Sequence, residues 1–175
     1  MIIILGAASG LAACSVPEEG ITGLTVDAQG DLWGAVAMCY DDPPDVVYLA
    51  GFRPAPAPSQ SAPDDHPSLA GEELGEVEYT VPRGAGRVLS FPLEAPADGW
   101  VASLGPPRLL PDVDYRLYGH TKNNSFRTME VAFRLSDRER LAPGTVLIQD
   151  VRSDEDVLVS QAEFADRGKR FCLGT

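Results

Sequence analysis

The chain has 175 residues, 44% of them hydrophobic, which is enough for one substantial core and too apolar for a chain disordered throughout. A formal net charge of −12 and a sequence pI near 4.4 argue against a nucleic-acid partner, whose phosphates need a basic patch, and against electrostatic docking on anionic lipid. Twelve arginines against two lysines, with heavy use of Ala, Gly, Pro and Asp, reflect the coding bias of a GC-rich bacterial genome.

Ile2 to Leu5 and the small residues through Ala13 give roughly a dozen uncharged positions, the length of a signal h-region and too short to span a bilayer as a helix. The run closes on Leu11-Ala12-Ala13-Cys14, which resembles the lipobox where bacterial prolipoproteins are lipidated and cut. That resemblance implies a signal peptide over residues 1–13, an acylated Cys14 holding the protein to the cell membrane on its outer side, and a tether over residues 14–20. No Lys or Arg precedes the apolar run, a departure from the pattern that a start codon further upstream would explain. The competing reading makes Ile2–Leu5 a buried first strand and Cys14 a core thiol. Three cysteines are an odd number for an exported chain, but giving Cys14 to lipid leaves Cys39 and Cys172 to pair as a disulfide. Without a Cys-x-x-Cys, neither zinc nor thioredoxin-like redox chemistry has support.

Residues 21–175 read as one domain of short strands. Ile21–Val26 and Leu32–Tyr40 flank Asp27-Ala28-Gln29-Gly30-Asp31, whose Asp and Gly suit a hairpin turn, and Val46–Ala50 follows as a third strand. Residues 53–75, opening Arg53-Pro54-Ala55-Pro56-Ala57-Pro58, cannot hold a ladder or a long helix and read as a solvated loop, with strands on both sides sharing one core. Glu76–Val81 alternates polar and apolar residues, the period of a strand with one wet face; Arg87–Phe91 and Gly99–Leu104 are weaker candidates.

Tyr115–Thr121 and Arg127–Arg134 form the best-defined hairpin, connected by Lys122-Asn123-Asn124-Ser125-Phe126. Parity points Tyr115, Leu117, Met129, Val131 and Phe133 inward and Arg116, Tyr118, His120, Thr128 and Glu130 outward. Ser136-Asp137-Arg138-Glu139 reads as a capping box opening one helical turn, Thr145–Val151 and Val157–Val159 as strands, and Ser160–Asp166 as a second helical turn before Cys172.

Many short strands, Gly/Pro turns and one or two helical turns point to an all-β, antiparallel immunoglobulin-like β-sandwich. Leu109-Leu110-Pro111-Asp112-Val113-Asp114-Tyr115 resembles the Leu-x-Pro-x-x-x-Tyr tyrosine corner of fibronectin type III and related immunoglobulin-like domains, implying that the Tyr115 hydroxyl bonds nearby backbone. Other sandwiches and a small barrel satisfy the same strand pattern.

Little in the sequence carries chemistry. His66 and His120 are the two histidines, and neither lies in an H-x-x-x-H or H-E-x-x-H pattern that would set metal ligands on one face, so no metal or cofactor is expected. No Gly-x-Ser-x-Gly elbow presents a nucleophile to His120, and no catalytic residue is assigned. Asp41, Asp42 and Asp45 have the oxygens Ca²⁺ seeks, but Pro43 and Pro44 break EF-hand spacing and a solvated turn accounts for them; Gly84-Ala85-Gly86 is a turn. The outward strip Arg116, Tyr118, His120, Thr128 and Glu130, continued by Asn123, Asn124 and Phe126 at the loop tip, mixes aromatic and hydrogen-bonding groups as recognition faces do, and as a plain cross-strand ladder also would.

Tyr115–Phe126, Gly20–Asp27 and the ending Phe171-Cys172 are similar to a family of uncharacterised actinobacterial lipoproteins over most of the mature chain. The resemblance implies a cell-envelope location, supports pairing Cys39 with Cys172, and brings no assigned activity or functional residue. The expected function is a monomeric, lipid-anchored binding or structural module of the envelope with a protein or envelope-polymer partner. The alternative is a secreted hydrolase or hydrolase inhibitor using the Tyr118/His120 face.

Overall fold

A computed structural model describes residues 15–54, 72–150, 153 and 155–173. The expected signal peptide, Cys14 and His66 lie outside the described residues. The strands are β1 (Glu18–Val26), β2 (Leu32–Met38), β3 (Val46–Arg53), β4 (Glu72–Thr80), β5 (Val88–Pro92), β6 (Val101–Ala102), β7 (Asp114–His120), β8 (Arg127–Met129), β9 (Val131–Phe133), β10 (Thr145–Gln149) and β11 (Asp156–Ser160). A 3-10 helix spans Leu135–Arg140 and one α-helix, α1, spans Gln161–Phe171. Among the described residues no helix is long and apolar enough to cross a membrane.

The fold is all-β apart from these helices, with the strands in one curled sheet of order β11-β10-β1-β8-β7-β3-β4-β6, β2 and β5 branching from β1, and β9 from β7. Branching follows from edge sharing. β2 covers one edge of β1 from Gly20 to Val26, while the other edge is divided between β8, parallel at Glu18 and Ile21, and β10, antiparallel at Leu24 and Thr25. The curl brings β1, β2 and β5 over β3, β4 and β7, and Leu24, Val36, Val47, Tyr79, Phe91 and Leu117 fill the space between. The opposite face of β1, β2 and β10 is also apolar: Ile21, Ala37, Val146 and Ile148 pack with Val159 and with Phe164 of α1.

α1 begins where Ser160 accepts the Glu163 N–H at 3.1 Å and ends beside Cys172, which is disulfide-bonded to Cys39 with Cα atoms 5.9 Å apart. It is longer than the turn expected over 160–166. Gly168 lets it lie close on β2, because a Cβ there would stand 2.7 Å from the Ala37 carbonyl oxygen.

Three further expectations need adjustment. The tether gives way to strand at Glu18, whose carboxylate pairs with Arg127 at 2.7 Å. Both ends of the span expected as loop, 53–75, are strand: β3 runs on to Arg53 and β4 starts at Glu72, the two residues facing each other and ion-paired at 2.7 Å, while residues 55–71 lie outside the described residues. The helical turn after β9 begins at Leu135, and the carboxylate that accepts the N–H of Arg134, at 2.8 Å, is that of Asp137, so the Ser136/Glu139 capping box does not form.

Candidate functional site

The exposed face of β3, β4 and β7 holds most of the strip read from the sequence. Register puts Tyr48 opposite Tyr118 and Val46 opposite His120, and alternation turns these side chains away from the main core. Tyr48 and Tyr118 rings stand 5.1 Å apart, Tyr118 and His120 rings 5.8 Å, and Tyr48 and His120 rings 6.4 Å, making a partly buried three-ring cluster. Arg116 extends it, lying 5.3 Å over the Phe52 ring while its guanidinium is 3.7 Å from Glu130. Tyr48 donates its hydroxyl to Glu76 at 2.5 Å.

The phenols on this face are held in their neutral form. Burial raises the Tyr48 pKa, and its bond to Glu76 raises it further, since a carboxylate partner disfavours phenolate. Tyr118 is raised as well, chiefly by burial and then by Glu130. The face therefore offers aromatic surface and phenol hydroxyls within a border of Glu76, Glu78 and Glu130.

Two residues of the expected strip are elsewhere. Thr128 is wholly buried and Phe126 is 5% exposed in the main core, so neither belongs to an outward face. A register shift explains Thr128. His120 opposes Arg127, so an unbroken ladder would put Leu117 opposite Glu130; it opposes Val131 instead. One extra residue reverses the alternation, carrying Thr128 inward, where its hydroxyl accepts the Gly119 N–H at 2.7 Å and lies 2.6 Å from the Thr22 hydroxyl. Asn123 and Asn124 are exposed at the loop tip, Asn124 with φ 56°, and Thr121 binds the loop by accepting the Ser125 N–H at 2.9 Å. Tyr48, Phe52 and Glu76 were missed because only long-range pairing brings them beside β7.

The remaining candidates are structural. Asp41 pairs with Arg87 at 3.0 Å, and Asp45 accepts the Lys122 N–H at 2.8 Å, so these carboxylates diverge. Among the described residues no three of His, Cys, Asp and Glu converge as a ligand set. His120 has its Nδ1 3.1 Å from the Thr121 carbonyl oxygen, and no described carboxylate pairs with it. Pro82, Arg83, Gly84 and Ala85 form a turn, with the Ala85 N–H donating to Pro82 at 3.2 Å.

Two of the cavities among the described residues lie elsewhere. One, of about 340 Å³, lies between that turn, β5 and Trp100; the other, of about 190 Å³, lies between Leu49, Leu74, Arg108, Leu110 and Tyr115. Neither includes Tyr118 or His120. No protein-family model, curated protein or solved structure matches the chain.

Proposed function

We infer that this protein is a lipid-anchored, extracytoplasmic binding module of the bacterial cell envelope, held to the membrane by acyl chains on Cys14 and meeting its partner through the Tyr48/Tyr118/His120 face. The observation that carries the reading is that three-ring cluster on an exposed sheet face, bordered by carboxylates. Rigid aromatic rings supply contact area at low entropic cost, and bordering acids and phenol hydroxyls add hydrogen bonds; together they suit a protein loop or a hydroxyl-rich envelope polymer. The Cys39–Cys172 disulfide supports an oxidising compartment.

The domain belongs, on this reading, with immunoglobulin-like sandwiches. Support comes from the Tyr115 hydroxyl, which accepts the Leu110 N–H at 2.7 Å as a tyrosine corner does. The hydrolase alternative has no specific observation in its favour.

The test is binding of the purified protein to envelope polymers and envelope protein fractions, with Tyr48→Ala and Tyr118→Ala compared with the native chain. A ligand whose affinity falls at least tenfold in both variants, with folding unchanged, supports the reading. Binding that both variants leave intact overturns the assignment of this face.

A further inference from the structure

The arginines of this acidic chain are almost all committed. Among the described residues nine of eleven are ion-paired with a carboxylate, and the two that are not, Arg83 and Arg108, each line one of the cavities described above. With acidic residues outnumbering basic ones 26 to 14, an arginine without a partner is the exception. The Arg108 cavity already contains a carboxylate, Glu76; the Arg83 cavity contains none.

The Arg83 cavity is also bounded by a free strand edge. Among the described strands β5 pairs with β2 alone, and three consecutive residues of it, Val88, Leu89 and Ser90, line the cavity. Side chains of consecutive strand residues point to opposite faces, so what those three share is the edge. The Arg87 carbonyl accepts from Met38 and the Leu93 N–H donates to Leu32, which turns the odd-numbered residues' polar groups toward β2. Val88 and Ser90 therefore direct their backbone N–H and C=O outward, and Pro92, with no N–H, ends the row. Trp100, stacked on Phe91 with centroids 4.2 Å apart, gives the cavity an apolar wall.

We propose that this cavity is a peptide site: an extended segment adds to the edge of β5 at Val88 and Ser90, places an apolar side chain against Trp100 and Leu89, and presents a neighbouring carboxylate to Arg83. Backbone pairing gives the affinity and the cavity the selection, as in other strand-addition complexes. A guanidinium free of any competing acid selects a carboxylate by paired hydrogen bonds. The site shares no residue with the aromatic face and is independent of whether that face binds.

The probe is acetyl-Thr-Val-Thr-Val-Ile with a free C-terminal carboxylate, titrated into the ¹⁵N-labelled full chain and followed at the Val88 and Ser90 amides and the Trp100 indole. Saturable shifts at these positions are expected. Affinity should fall about tenfold or more with the C-terminal amide, with the same peptide N-methylated at alternate residues, and with Arg83→Gln, while Arg108→Gln binds like the native chain. An internal version ending Asp-Ala-amide distinguishes a side-chain carboxylate from a terminal one, and binding by either form supports the site. Equal binding of acid and amide, equal loss in Arg108→Gln, or shifts explained by association of two copies through β5 would each overturn it, as would no shift at all with both peptides.

Discussion

Thr128 and Gly119 meet in the interior, the threonine hydroxyl accepting the glycine N–H at 2.7 Å from a position with no exposed surface. A Cβ on Gly119 would stand 2.8 Å from Pro44, so the backbone is close-packed there. Thr128→Val keeps the shape and removes the acceptor. We expect a loss of about 1–3 kcal/mol in urea unfolding, the cost of an unsatisfied buried donor. Thr128→Ser, which keeps the hydroxyl, should lose less; equal losses would show that packing alone sets the site.

Gly168 is required by contact. Gly168→Ala gains about 1 kcal/mol of helix propensity, but the new methyl group would meet Ala37, including its backbone carbonyl, which cannot rotate away. Overpacking of this kind costs about 1–3 kcal/mol, so net destabilisation is expected. Amide exchange should rise first across α1 and the part of β2 beneath it. Unchanged exchange with a higher melting temperature would contradict the close docking of α1.

The buried phenols make the protein sensitive to alkali. Burial raises the Tyr48, Tyr79 and Tyr118 pKa values above the ordinary 10.0. The unfolded chain ionises these groups near pH 10 while the folded chain still holds their protons, so their contribution is complete below that pH and declines as pH rises through 10 toward the raised folded values. Spectrophotometric titration should show Tyr48, Tyr79 and Tyr118 resisting ionisation until unfolding releases them together. Titration of these three as free phenols would contradict the burial. Tyr48→Phe should reduce the alkaline loss.

The Cys39–Cys172 link closes nearly the whole described chain, with a sequence separation of 133. Chain entropy assigns such a loop up to about 5 kcal/mol. Reduction, or Cys39→Ser with Cys172→Ser, should therefore lower the urea midpoint strongly while α1 loses protection before the main core. Non-reducing peptide mapping should recover the two cysteines in one fragment; free thiols in envelope-purified protein would contradict the link.

What the sequence disclosed is mostly local. Asp27 and Gly30 announce the first hairpin, and Asp27 does hold it, accepting the Asp31 N–H at 2.9 Å and the Trp33 indole N–H at 3.2 Å. The spacing of Leu109 and Tyr115 predicts a bond between the Tyr115 hydroxyl and nearby backbone, and that hydroxyl accepts the Leu110 N–H. The inward turn of Thr128 was hidden because a single extra residue near Glu130 leaves no compositional trace yet reverses alternation on one side of it. The length of α1 was hidden as well, because the helix is fixed by the burial of Phe164 and by Cys172, both of which depend on distant residues. The face itself was half legible, since Tyr118 and His120 lie on a recognisable strand but Tyr48 joins them only through the β3–β7 ladder.

The most direct test of an envelope-anchored module is the intact mass, with N-terminal peptide mapping, of the protein extracted from its native membrane. The account predicts a chain that begins at Cys14, lacks residues 1–13 and carries the added mass of acyl chains on that cysteine. A chain in which an unmodified Cys14 is still preceded by those residues would contradict it.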